Sequence, residues 1–221
     1  AQKGTYLRTK IEQYQLDKVI GLGRIWRITH DSKERDKTQP KMFDKTPSEL
    51  ITYLEHPNGW WRDKAQQLIV LSRDQSTVPE LRKVALSNKN QFARTHAIWC
   101  LEGLGALQTD LLTTLFQDPD PKIRRQAIRA SETLYKSGNK SLATSYLKLL
   151  EDVNVDVALQ AMLTVKFLEV PDYQKALSKI VKTNQAKGIQ TVGTQILTPL
   201  KQENRWNRNE VLLSEVQQES L

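Results

Sequence analysis

Four segments of the chain superimpose without gaps: HPNGWWRDKAQQLI, SNKNQFARTHAIWC, QDPDPKIRRQAIRA and EDVNVDVALQAMLT. Aligned on a shared small residue they bring Ala65, Ala97, Ala127 and Ala161 into one column, at intervals of 32, 30 and 34 residues. Seven positions before each alanine stands Asn58, Asn90, Asp120 or Asn154, and eleven before stands Leu54, Leu86, Phe116 or Leu150. Self-similarity at this period means that one supersecondary unit is stacked on copies of itself, which removes most other folds from consideration.

Each column has a physical meaning. Asn or Asp accepts a hydrogen bond from the unpaired amides of a first helical turn, so it marks a helix start. An alanine seven residues on suits a place where two helices approach closely. The earlier apolar residue ends a preceding helix that packs on the same core. Every unit therefore reads as helix, short turn, helix. Thr46-Pro47-Ser48-Glu49 is a capping box with Pro at the first helical position, and Thr77-Val78-Pro79-Glu80 repeats that grammar. Thr109 or Asp110, and Asn139 or Ser141, open two further helices. The pattern predicts helices near 47–55, 58–73, 78–87, 90–106, 109–117, 120–136, 140–151 and 154–168. A fifth, degenerate unit places Ile180, Asn184 and Thr191 in the three columns, with Gly188 and Gly193 weakening its second helix.

The fold class expected is all-α: an α-solenoid of about five helix pairs, with a short strand-bearing N-terminal extension. The columns resemble the HEAT-repeat pattern, and DPDPKIRRQAIRA at 118–130 fits it closely. That resemblance covers roughly residues 46–195 and speaks to fold rather than to chemistry. Three segments follow: an extension and linker over 1–45, the solenoid over 46–198, and a polar tail over 199–221. In the tail, VLLSEV is expected to form one short docking helix.

Composition narrows the function classes. The longest run of large apolar residues, Leu68 to Leu71, is far short of the roughly 20 needed for a membrane-spanning helix. The single cysteine, Cys100, cannot form an internal disulfide, and with three histidines a Cys/His zinc site would draw on distant residues. The net charge of +8 is concentrated towards the start: residues 1–46 carry 11 basic and 6 acidic side chains, residues 152–221 eight of each. Acids and bases are interleaved and no run of five like charges occurs, which argues against nucleic acid as the partner. The opening AQKGTYLRTK lacks a basic-then-apolar leader, as expected of a mature chain or an internal fragment.

Ahead of the repeats, TYLRTKIEQYQ reads as a short helix, and Gly-Arg-Ile-Trp-Arg-Ile at 23–28 alternates like a strand. A lone strand needs neighbours, so its sheet would lie outside this chain. The combination of GRIWRI, a polar linker, HPNGWWRDKAQQLIV and HAIWCLEGLGAL resembles large secreted bacterial proteins of the membrane-bound dehydrogenase type. The match spans about residues 4–135. Those proteins join a sugar-dehydrogenase-like β-propeller, a HEAT-repeat segment and commonly a cytochrome c domain. The resemblance implies that GRIWRI is the last propeller strand, that the repeats are a helical connector, and that the location is periplasmic or at the extracellular surface. It also implies adjacent domains, β-propeller and cytochrome c, as partners. No Cys-x-x-Cys-His occurs, so no c-type haem attaches to this chain, and the propeller's active-site residues are absent.

Chemistry has thin candidates. His96 and Cys100, four apart on one helix, share a face, but a cysteine three residues after Ala97 is expected to fill the core. No catalytic, cofactor-binding or metal-binding residue is assigned. The densest cluster is His56, Trp60, Trp61, Arg62 and Asp63. Trp61 falls in the core column of Ile123 and Val157, whereas Trp60 stands outside the pattern. Two tryptophans beside an arginine either pack the first repeat or stack on a base, a sugar or another domain's surface. Arg62, Arg94 and Arg124 share a column that Ala158 breaks; such arginines bind phosphates or, more often, acids and carbonyls of the adjacent unit. His56, Trp60, Arg62, Arg94 and Arg124 are therefore the candidate interaction surface. The Trp-Arg-Asp cluster also resembles that of HEAT-like alkyl-base DNA glycosylases, although here it lies in one unit rather than across several. A stand-alone protein scaffold is the third reading.

Overall fold

The computed structural model describes residues 3–18, 31–32, 38–39 and 41–198. The predicted strand at 23–28 and the predicted tail helix lie outside them. The described residues contain eleven α-helices and no strand. The chain divides into two units, Ala1–Gln39 and Pro40–Leu221.

The first unit holds helix α1 (Tyr6–Gln13), started by Thr5, whose side chain accepts from the Arg8 amide. It is braced locally, by Arg8 to Glu12 at 2.6 Å and by the Lys10 ammonium at 5.6 and 5.7 Å from the Tyr6 and Tyr14 rings. None of its residues is buried. Pairs of this kind contribute a few tenths of a kcal/mol each, so α1 owes little to packing.

The second unit is the repeat array. Its first helices are α2 (Pro47–Thr52), α4 (Val78–Ser87), α6 (Thr109–Leu115), α8 (Ala143–Leu149) and α10 (Tyr173–Thr183). Each packs on the second helix of its own pair: α3 (Gly59–Ser72), α5 (Gln91–Gly103), α7 (Pro121–Lys136), α9 (Val155–Phe167) and α11 (Lys187–Leu197). The second helices touch in series, α3 on α5, α5 on α7, α7 on α9 and α9 on α11.

The caps fall on the residues whose period announced them. Asn58, Asn90, Asp120 and Asn154 all begin second helices in extended backbone, and each side chain accepts from an amide of the first turn. Ala65, Ala97, Ala127 and Ala161 are fully buried. Around them Ile69, Ile98, Leu101, Ile123 and Ile128 fill a continuous core with Leu81, Leu111 and Leu115 from the first helices, Leu54 from the 3-10 turn after α2 and Leu142 from the cap of α8. Each such side chain contributes about 2 kcal/mol on removal from water.

Several expectations are corrected. Leu86 is 40% exposed, and Ala85 is buried in its place. Helix α4 runs unbroken to Ser87, so Leu81 and Ala85, four apart, share the buried face. Thr77 does not repeat the Thr46 capping box: its hydroxyl donates to the Asp74 carbonyl at 2.7 Å, closing a 3-10 turn that Asp74 caps. Neither Thr109 nor Asp110 caps α6, and neither Asn139 nor Ser141 caps α8; Gln108 and Leu142 stand at those positions without a side-chain cap bond. Helix α5 ends at Gly103 rather than 106. There Gly105, at φ +65, lets its own amide bond the Glu102 carbonyl while the Ala106 amide bonds that of Leu101, the pattern of a left-handed helix stop. Gly138 after α7 and Glu169 after α9 close their helices the same way.

In the fifth unit the register moves by two. Asn184 does not start α11; its side chain accepts from the amide of Ala186, which occupies the cap position. Thr191 is exposed, and the small residue seven places after the cap is Gly193, which is buried. A Cβ there would run into Val181 and stand 2.9 Å from Met162 Cε. Gly193 thus permits the closest approach of α11 to α9 and α10 rather than merely weakening the helix.

Candidate interaction surface

The arginine column is built from the turn that precedes each second helix. Two residues before each cap stand His56, Asn88, Asp118, Asp152 and Asn184, and all five side chains accept the amide two residues ahead. That short ring fixes the turn and aims the side chain back at the preceding unit. Two of the five are carboxylates, and each meets the arginine of the unit before it. Arg124 donates from Nε and Nη2 to the two oxygens of Asp152 at 2.8 and 2.7 Å. Arg94 holds Asp118 in an end-on fork, donating from Nη1 and Nη2 to its two oxygens. These side chains retain only about a tenth of their exposure, 11% for both arginines and 9% for both aspartates. The Asp152 carboxylate, as hydrogen-bond acceptor, holds the Arg124 guanidinium above its ordinary pKa.

The same column also closes each unit on itself. Arg62 donates to the His56 carbonyl at 2.6 Å, Arg94 to that of Ala85 at 2.8 Å, and Arg124 to that of Asp118 at 2.7 Å. In the last unit Gln190 stands in this column and donates to the carbonyls of Val181 and Asn184. Ala158, fully buried, leaves the column without a donor in the fourth unit. Arg94 and Arg124 are therefore spent inside the array, at its two central junctions, rather than presented on its surface.

His56 and Arg62 meet at the first junction, whereas Trp60 stands apart from both on the first turn of α3. His56 stacks on Trp61 with ring centroids 4.4 Å apart and planes within 13°, and Trp61 also leans on Tyr53 at 5.6 Å. Trp61 is 9% exposed, whereas Trp60, one residue earlier on the first turn of α3, is 51% exposed. The Arg62 guanidinium carbon lies 4.6 Å from the ring centre of Phe92, itself 56% exposed. Trp60 and Phe92 occupy the same place in successive units, two residues after the cap, where the third and fourth units carry Lys122 and Asp156. The alignment of Asn58 with Asn90 holds that signal, but the column is aromatic in only two units, so periodicity does not mark Phe92 as special.

His96 belongs to this junction as a structural group. Its Nδ1 lies 2.7 Å from the Gln66 side-chain oxygen, and its Nε2 accepts from Arg62 Nε at 3.4 Å. Burial lowers its pKa below the usual histidine value, Asp63 pulls the other way, and the Arg62 charge lowers it further. Cys100 is fully buried, and burial pushes its thiol up to about 12, so it offers no thiolate near neutral pH. A second polar cluster, Ser131, Glu132, Tyr146 and Thr164, is satisfied internally: the Thr164 hydroxyl donates to Glu132 at 2.6 Å, and Ser131 and Tyr146 share a 2.8 Å bond. Among the described residues no group of three or more His, Cys, Asp or Glu is placed to hold a metal ion. No described helix is long and apolar enough to cross a membrane.

Residues 47–131, from α2 through most of α7, match a family model of HEAT repeats. No curated protein matches the chain. Residues 47–131 are a HEAT-repeat segment, and helix pairs of the same construction continue from there to Leu197.

Proposed function

We propose that the chain is a non-catalytic helical-repeat module that holds a protein surface, and that it serves as a connector between domains of a larger protein. The observation that carries this reading is the first junction. There Arg62 lies against the exposed Phe92 ring, and a second exposed ring, Trp60, stands at the matching place one unit earlier, while the other titratable candidates are tied up in the fold. HEAT-repeat architecture presents such faces in series and is suited to recognition.

The wider context rests on the resemblance of GRIWRI and HPNGWWRDKAQQLIV to secreted dehydrogenase-type proteins. In that setting the array spaces a sugar-dehydrogenase-like propeller from a cytochrome c domain, and the chain is periplasmic or at the cell surface. Helix α1, with no buried residue, fits a segment whose packing partner belongs to another domain. The test is an oxidation assay of the purified chain with aldose sugars and a soluble electron acceptor. No turnover above a protein-free blank is expected, and measurable sugar oxidation by this chain would sink the proposal.

A further inference from the structure

Resting on the reading of the first junction as an interaction face, we infer the chemistry of its partner: a protein segment that presents an Asp or Glu carboxylate between apolar side chains. The array itself supplies the comparison. At the two central junctions, the arginine three residues before the buried alanine receives a carboxylate from the following unit, Asp118 for Arg94 and Asp152 for Arg124. At the first junction the equivalent residue is Asn88, whose amide donates to the Glu55 carboxylate instead. Arg62 keeps its inward bonds, to the His56 and Pro57 carbonyls through Nη1 and to His96 through Nε. No described side chain or carbonyl accepts from its Nη2, the atom that carries the carboxylate in both other arginines.

The surroundings match that charge to a protein ligand. The guanidinium carbon lies 4.6 Å from the centre of the Phe92 ring, and Trp60, at the matching place one unit earlier, is also exposed, so apolar ring surface stands open in the same two units as the free edge. An incoming carboxylate would accept from Nη2 in a partly desolvated setting, where a charge-assisted bond is stronger than on open surface. Its apolar neighbours would cover Trp60 and Phe92, the residue types that dominate binding energy at protein interfaces. Further along the same column the residues change to Lys122 and Asp156, so the aromatic frame is confined to the first two units.

The experiment is a selection of random dodecapeptides on phage against the full chain, followed by binding of the enriched synthetic peptide by fluorescence anisotropy. Enriched peptides are expected to share an Asp or Glu within two positions of large apolar residues. Changing that acid to its amide should weaken binding at least tenfold. Arg62→Gln should do the same while keeping the fold, because Gln190 makes the equivalent carbonyl bonds in the last unit. The double change Trp60→Ala with Phe92→Ala should abolish binding, and Lys122→Ala should leave it unchanged. Peptides that lack an acid yet still need Trp60 and Phe92 would overturn this inference and leave the interaction face standing. No enrichment, or peptides indifferent to Trp60 and Phe92, would overturn both.

Discussion

Arg124→Ala is expected to cost about 3 kcal/mol of stability, read as the shift of a urea unfolding curve at constant slope. The change removes a forked pair in which each side chain keeps about a tenth of its exposure, and a further bond to the Asp118 carbonyl. What remains is the Asp152 carboxylate, nearly enclosed and stripped of its counterion, and that residual charge is the larger part of the cost. Arg62→Ala, at a junction with no ion pair, should cost only about 1 kcal/mol by comparison. A double-mutant cycle with Asp152→Ala should return a coupling of about 2 kcal/mol. Asp152 also accepts the Asn154 amide, so its own replacement damages the turn as well, and only the cycle separates the two effects. Equal costs at Arg62 and Arg124 would show that the pairing is surface decoration.

Ala127→Leu tests the other organising column and should be of similar size, about 3 kcal/mol, lowering the melting temperature by roughly 9 °C. Ala127 is fully buried on α7, the helix that packs on both α5 and α9. Three added carbons have no space to enter without separating those helices. Ala127→Gly removes one carbon and pays chiefly helix propensity, so about 1 kcal/mol is expected there. A leucine variant as stable as the parent, measured by calorimetry, would mean that the column does not set the helix spacing.

The fold was largely legible because its repeat rests on positions with one physical job each. Asn58, Asn90, Asp120 and Asn154 cap helices, and the four alanines keep them close, so their identity survives from unit to unit. Where a job can be done by a neighbour, the pattern misled. Leu86 holds the apolar column in the alignment, but an unbroken α4 buries Ala85 instead. Thr191 aligned at the end of the array because Asn184 looked like a cap. Asn184 is the turn residue two places earlier, equivalent to Asp152, and that shift of two hands the close-packed position to Gly193.

The interaction surface was only partly readable. The arginine column was visible, but its partners stand in a column of mixed residue types, in which Asp118-x-Asp120 and Asp152-x-Asn154 repeat the spacing of Asn88-x-Asn90 and His56-x-Asn58. Reading that second column separates the arginines with a carboxylate to meet from Arg62, which has none. A periodic pattern gives no measure of exposure, so Trp60 and Phe92 differ from Trp61 only once the helices are stacked.

The decisive question for this basic chain is whether it recognises protein or nucleic acid. Labelled duplex DNA should be titrated with the chain over a series of salt concentrations. Binding weaker than about 100 µM is expected at physiological ionic strength, the same for the parent and for Trp60→Ala and Arg62→Gln. Affinity near 1 µM that falls steeply with salt, and that both substitutions weaken, would contradict that expectation and assign the exposed rings and their arginine to DNA.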